Sequence, residues 1–379
     1  MYIEARRAVI AGLLCAAALL AQDRPLSNGS VNIRLPADSP LALMSMSTGD
    51  SHASARGAAL VLDLHMSLTL QNISSHRVHG LTLRVVSQEV TLGGKSSVSL
   101  LGLNVGPREV FPVHIDMQLM RPTQMAAGTL VDVDLDGVLF EDLSFYGPDR
   151  LNSRRTMTAR EMQAQRDREY YKRVLAEAGP EGLRRALLES MARGAARPRL
   201  DVSVMRGPAV TSAALAPERT EQFAFVDFPD APVAPVEGWA LVAGNEARSP
   251  RIQVRNRSNK PVNYVELGWL VRDQGGQQYL AASVPAADPL LLPAGHTARV
   301  EQDTALRFTR NGQPVNINSA VGYVSRVQFA DGKLWVPTRQ DLESSLLLKV
   351  LPPSAEEQRL SDLYRKRGLD GLVEELKKF

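Results

Sequence analysis

The most regular pattern in the chain is an alternation of apolar and polar residues over positions 58 to 71. The apolar members are Leu62, Leu64, Met66, Leu68 and Leu70. Because successive side chains of a β-strand point to opposite faces, this spacing predicts a strand with one buried face. A polar segment at 72–77 and a second alternating segment at 78–86 follow, so the pattern predicts a strand, a turn and a second strand.

The same strand–turn–strand pattern recurs in the second half of the chain. An offset of 184 residues relates Asn72, Val78 and Leu83 to Asn256, Val262 and Leu267. An offset of 189 residues relates Phe140, Asp142, Pro148, Gly179, Gly182, Leu183 and Leu187 to Phe329, Asp331, Pro337, Gly368, Gly371, Leu372 and Leu376. These matches predict an internal duplication, in which shared features belong to the fold and chemistry lies where the copies differ.

Short strands separated by Gly, Pro and Asn are typical of antiparallel β-sandwiches. The repeated phrase, from Asn72 to Leu83 and from Asn256 to Leu267, resembles the immunoglobulin-like modules of bacterial exported proteins. The resemblance implies a mainly β fold with appended helices: two tandem immunoglobulin-like antiparallel β-sandwiches, each followed by a short helical hairpin.

Helical patterns follow each predicted sandwich. Thr158 and Glu161 have the spacing of a capping box, which predicts a helix over 162–178. Gly179 and the proline after it should end this helix and start a second one that ends near Arg193.

In the second copy, residues 341–351 favour a short helix, and Ser354 and Glu357 form another capping box. The two final helices should meet at Gly368. The predicted organisation is a signal peptide at 1–21, sandwiches at 22–150 and 195–351, and helical hairpins at 151–194 and 352–379.

The chain begins with the features of an export signal. Arg6 and Arg7 precede an apolar run over 8–20, and Ala21 is a small residue suited to cleavage. The single cysteine, Cys15, lies in this run, which leaves a mature chain without disulfides or thiolate chemistry. A lipid anchor at Cys15 is disfavoured because the preceding residue is leucine, so we expect a soluble periplasmic or extracellular protein.

The charge and hydropathy of the remaining chain argue against nucleic acid as the main partner and against a membrane span. The formal net charge is +3, and residues 1–21 contribute +1 of it. A nearly neutral chain does not fit nucleic acid as the main partner. The chain after residue 21 contains no run of eighteen apolar residues, so no transmembrane span is expected in the mature protein.

Three acidic residues form the candidate metal site. Asp132, Asp134 and Asp136 precede Gly137, which matches the opening of a calcium loop. The twelfth position, which should supply a bidentate glutamate, is Leu143. The alternative is a solvated strand that ends in an Asp-Gly turn; calcium is the one cofactor that the sequence suggests.

Two further sites are candidates for binding. Leu372, Val373 and Leu376 form an apolar stripe on the last helix, which either packs on the protein itself or docks a partner. Trp239 lies after a proline-rich segment and could stack on a sugar ring. Trp269 and Trp335, by contrast, fall at positions that suit core packing.

The sequence contains no convincing catalytic constellation, so we expect a protein that is not an enzyme. The function predicted is an exported protein-interaction or scaffold protein of the bacterial cell envelope, with an unidentified protein partner bound by strand addition. The alternative is a carbohydrate-binding accessory protein that acts beside a secreted hydrolase.

Overall fold

The computed structural model describes residues 24–123, 128–194, 199–205, 217–281, 290–301 and 305–379. The predicted signal peptide and Cys15 lie outside these residues. The fold is mainly β, with 48% of residues in strands and 23% in helices, which confirms the mainly β part of the predicted fold class. The chain forms two compact units. One contains the described residues up to Leu100 with Asn104–Val138 and Tyr146–Leu151; the other contains Leu101–Leu103, Leu139–Phe145 and Asn152–Phe379.

Within the described residues, ten strands precede the first α-helix. They are β1 (Arg24–Pro25), β2 (Val31–Arg34), β3 (Leu41–Ser47), β4 (His52–Arg56), β5 (Ala59–Asn72), β6 (Val78–Val86), β7 (Lys95–Val105), β8 (Val110–Pro122), β9 (Val131–Phe140) and β10 (Phe145–Tyr146). One five-stranded sheet contains β1, β4, β5, β3 and β8. The other contains β10, β9, β6 and β7 in that order, with β2 parallel to β9.

The long strand β5 is the centre of the first sheet. One edge of β5 pairs with β8, and the other edge pairs with β4 and then β3. The predicted alternation is confirmed, because the inward-facing side chains of β5 are almost completely buried. These side chains are Leu62, Leu64, Met66, Leu68 and Leu70.

The polar turn between β5 and β6 is held by one buried side chain, Asn72. Its Nδ2 donates to the carbonyls of His76 and Val105 at 2.8 and 3.1 Å, and its Oδ1 accepts from the backbone and hydroxyl of Ser74. Asn256 repeats this arrangement in the second unit. The shared Asn is therefore a fold feature of both copies.

Twelve strands of the described part of the chain form the sheet of the second unit. They are β11 (Arg199–Met205), β12 (Arg219–Gln222), β13 (Ala224–Phe225), β14 (Val233–Ala243), β15 (Glu246–Asn256), β16 (Val262–Asp273), β17 (Gln278–Ala281), β18 (Thr297–Glu301), β19 (Ala305–Arg310), β20 (Gln313–Pro314), β21 (Ile317–Phe329) and β22 (Leu334–Trp335). The main strand order is β12-β14-β15-β19-β11-β17-β16-β21-β13.

This sheet curls until it is nearly a barrel. Strand β11 joins its two halves, because it runs parallel to β17 and antiparallel to β19. The first and last strands of the order, β12 and β13, are separated in the chain by Phe223 alone. The two ends of the sheet are therefore brought together by the covalent chain.

Both helical hairpins belong to the second unit. Helix α1 is Ser153–Gly194, α2 is Arg339–Ser344 and α3 is Ala355–Leu376, and a short 3-10 helix spans Leu347–Lys349. None of these helices is long and apolar enough to cross a bilayer.

The capping box at Ser354 and Glu357 is confirmed, and the short helix over 341–351 is broken into α2 and the 3-10 turn. The box at Thr158 and Glu161 is wrong, since α1 begins five residues before Thr158. Both side chains are buried inside α1, and Glu161 pairs with Arg168 instead of capping the helix.

Each hairpin bends at a glycine in the left-handed region. Gly179 has φ 68° and ψ −170°, and Gly368 has φ 70° and ψ −168°. A side chain at this φ would be strained, which explains why glycine stands at both positions. The two hinges that the sequence predicts are confirmed with matching geometry.

Candidate functional site

The two copies differ most clearly at one strand edge. In the first unit, β7 follows β6 and pairs with it, and no further described strand continues the sheet. In the second unit, the strand that follows β16 and pairs with it is β17, whose other edge pairs with β11. Within the described residues, no strand occupies in the first copy the edge that β11 occupies in the second.

The neighbouring edge of β8 is partly blocked. Pro112 and Pro122 lie in this strand and lack a backbone N–H, as is usual for edge strands. The N–H of Met120 donates to the carbonyl of Gly93 at 2.9 Å, so the loop before β7 covers one end of β8.

A hydrogen-bonded loop with two exposed apolar side chains leads into β7. The loop is closed by hydrogen bonds from Ser87 N to Gly94 O and from Gly94 N to Thr91 O, each 2.8 Å long. At its tip Val90 is 88% exposed and Leu92 is 91% exposed. Exposed large apolar residues beside an open edge are features of a protein-binding surface.

The acidic residues of β9 already have partners. Arg34 pairs with Asp132 at 2.5 Å, and Arg84 pairs with Asp134 at 3.3 Å. Asp136 is 1% exposed and accepts from the backbone N–H groups of residues 150 and 151. Within the described residues, no group of three His, Cys, Asp or Glu side chains could hold a metal ion. The calcium assignment stays a prediction, and these contacts do not support it.

A histidine between two carboxylates was missed by sequence reasoning. His65 Nδ1 lies 3.1 Å from Asp116, and His65 Nε2 lies 3.4 Å from Asp63. Strand register creates this group, because His65 faces Asp116 across β5 and β8. The three side chains lie on a solvated surface, where such pairs contribute little to stability.

The three tryptophans have different surroundings. Trp269 packs edge-on against Phe223, with ring centres 4.9 Å apart, and Trp335 lies 6.2 Å from the ring of Phe228. Trp239 is half-buried, and the guanidinium of Arg251 lies 5.4 Å from its ring centre. Its ring is thus partly occupied by a cation, and sugar stacking there stays a prediction.

The apolar stripe of the last helix faces the first hairpin. Leu372 and Leu376 are buried, and Val373 is partly buried beside them. They pack with Leu183 and Leu187 of α1. In this structure the stripe forms an intramolecular contact, so a partner could reach it only if the hairpins separated.

Buried charges lie beside this apolar contact. The side chain of Glu357 is 3% exposed and lies 2.6 Å from Arg193 and 3.1 Å from Arg339. Burial disfavours the charged form of Glu357, but Arg193, the backbone N–H of Ser354 and Arg339 outweigh this effect and hold its pKa below the ordinary value. Arg168 likewise pairs with Glu161 and with Glu356. The hairpins are thus joined by matched charges as well as by apolar packing.

Comparisons with known proteins show no family. No family model matches the chain, and no curated protein is similar to it. Among solved structures, red sea bream transglutaminase aligns with 80% of this chain and 31% of its own, at 8% identity and a TM-score of 0.14. A likeness at this level carries no argument about fold or activity.

Proposed function

We propose that this protein is an exported, non-enzymatic interaction or scaffold protein of the bacterial cell envelope, built on two immunoglobulin-like β-sandwiches. The observation that carries the proposal is the edge of β7 on which no described strand lies, in contrast to the edge of β17 that β11 covers. An open edge offers unpaired backbone donors and acceptors, and an extended segment of a partner pairs with them as an added strand.

The apolar loop supplies the second part of the binding surface. Backbone hydrogen bonds between strands contribute affinity but hardly depend on the partner's sequence, whereas side-chain contacts select the partner. Val90 and Leu92 protrude next to the first residues of β7. We infer that they contact apolar side chains of the strand that pairs with β7.

Photo-crosslinking tests this proposal. With a benzophenone amino acid at Ser97 on β7, we expect a defined crosslinked partner in the cell of origin. The same substitution at Ser67, on a strand that is paired along both edges, should give none. The double variant Val90→Ser, Leu92→Ser should reduce the Ser97 adduct several-fold because it removes the apolar contacts. Equal adducts at the two serines, or no adduct at Ser97, would contradict the proposal.

A carbohydrate-binding role is the rival, and Trp239 is the residue that it requires. It predicts that the protein is retained on a glycan array and that Trp239→Ala abolishes retention, because aromatic faces bind sugar rings. Trp335→Ala is the matched control for lost indole area. Absence of retention for the unmodified protein removes this alternative.

A further inference from the structure

The two copies share one arrangement of paired strands. In the second unit β15 pairs with β18 and β19, and β16 pairs with β17. In the first unit β5 pairs with β8, and β6 pairs with β7. By chain order and pairing, β7 corresponds to β17, and β8 corresponds to β18 and β19 together. The surroundings of β17 therefore indicate what kind of strand fits beside β7.

Strand β11 lies between the strands of the second unit that correspond to β7 and β8. It runs antiparallel to β19, and its residues Arg199 and Leu200 pair in parallel with β17. Among the described residues of the first unit, no strand takes this place. The loop before β7 reaches β8 there, because the carbonyl of Gly93 accepts from the N–H of Met120. A strand added to the first unit would therefore pair with β7.

The register of β6 and β7 shows which backbone groups of β7 point away from β6. The N–H of Ser87 donates to the carbonyl of Gly94 across the pair. The hydroxyls of Thr82 and Ser99 lie 3.3 Å apart, which fits the same register. In an antiparallel pair, every second residue directs its N–H and carbonyl to the far side. Ser97 is such a residue, and it is exposed.

Apolar side chains of β7 remain partly accessible beside this edge. Val98 and Leu100 alternate with Ser99, so they point to the face on which Leu81 and Leu83 of β6 are buried. Unlike those two leucines, Val98 and Leu100 are only half-buried. An added strand with apolar side chains on this face would cover them.

Strand β11 provides the corresponding apolar cover in the second unit. Leu200 is buried in the same cluster as Ala281 of β17, and Val202 packs against this cluster. Asp201 and Ser203 alternate with these apolar residues and are exposed. A strand in this place thus has apolar residues at every second position and polar residues between them.

We propose that the partner segment that pairs with β7 is an extended strand, parallel to β7, with the alternating pattern of β11. Its apolar side chains cover Val98 and Leu100, and its polar side chains face solvent. Its backbone pairs with the outward groups of Ser97. This inference rests on the proposed function and adds the direction and the residue pattern of the partner strand.

A labelled peptide with the sequence of β11, residues 199–205, is the probe for this proposal. We expect saturable binding to the full-length chain by fluorescence anisotropy. The change Val202→Asp in the peptide should weaken binding by about tenfold or more, because it would bury a charge against apolar side chains. The matched change Ser203→Asp lies on the solvated face and should leave binding unchanged.

Two variants of the protein locate the site on β7. Ser97→Pro lacks the outward N–H, so it should weaken peptide binding about tenfold, and prolines are tolerated at this kind of edge position. Ser97→Ala keeps the N–H and should bind as the unmodified protein does. Thermal melting checks that both variants fold. The pair also distinguishes binding at β7 from exchange of the peptide with β11 itself.

Crosslinking determines the direction of the bound peptide. With a benzophenone amino acid at Lys95 we expect adducts in the N-terminal half of the peptide, and with one at Ser99 we expect adducts in its C-terminal half. The reverse order would overturn the parallel arrangement. Absence of saturable binding, or equal binding of the two Asp-substituted peptides, would overturn the residue pattern. If the adduct at Ser97 still forms in cells, these failures concern this inference alone; if that adduct is also missing, the proposed function fails with it.

Discussion

Replacing Glu357 by glutamine is expected to lower the free energy of unfolding of the second unit by about 3 kcal/mol. The substitution keeps the shape but removes the charge that faces Arg193 and Arg339. Arg193 loses this carboxylate partner, and Arg339 is left with Glu343 and Asp167. All three tryptophans lie in this unit. Urea unfolding followed by tryptophan fluorescence therefore measures the loss directly.

Glu374→Gln is the matched control, since this residue is exposed on the same helix and should change stability by less than about 0.5 kcal/mol.

The pH dependence of stability that Glu357 causes has a defined sign. Because the pKa of Glu357 is depressed in the folded state, its charge stabilises the fold above the ordinary glutamate range, and this contribution is lost as pH falls below about 4.5. The melting temperature of the Glu357→Gln variant should fall less between pH 7 and pH 4. Parallel pH curves would show that the carboxylate is not stabilising.

Replacing Asn256 by alanine is expected to cost about 3 kcal/mol, because buried backbone groups would lose their partners. Its Nδ2 donates to the carbonyls of Lys260, Leu292 and Pro293, and its Oδ1 accepts from Ser258. The side chain is completely buried, so water cannot replace these bonds without rearrangement. Urea unfolding by tryptophan fluorescence again measures the loss.

The chain contains both an equivalent residue and a control residue for this substitution. Asn72→Ala removes the equivalent side chain from the first unit, where circular dichroism in the β region should record a comparable loss. Asn316→Ala changes an exposed asparagine of the second unit and should have little effect. Equal stability of the Asn256→Ala and Asn316→Ala variants would show that the turn does not depend on its asparagine.

Local patterns in the sequence predicted local structure well. The alternation in β5 is confirmed because apolar residues at every second position fit a strand with one buried face. The hinges at Gly179 and Gly368 are confirmed because few other residues adopt a positive φ. The capping box at Thr158 is wrong because the helix begins earlier, at Ser153, and the buried Glu161 pairs with Arg168 of the same helix.

Features that depend on distant pairing could not be predicted. The group around His65 arises from the register of two strands that are 51 residues apart. The covered edge of β17 depends on β11, about 80 residues earlier in the chain. The sequence indicated that Leu372 lies on an apolar helix face. It did not show that Leu183 and Leu187 of α1 cover this face, because that contact depends on the fold.

The contact between the hairpins joins equivalent positions of the two copies. Tyr171, Leu183 and Leu187 meet Leu360, Leu372 and Leu376, and each pair is separated by 189 residues. This is the arrangement of a symmetric homodimer, in which the same patch is used twice. A molecule with one copy would expose half of a self-complementary surface and would associate according to its concentration. Joining the copies in one chain makes that association intramolecular, so it persists at any dilution.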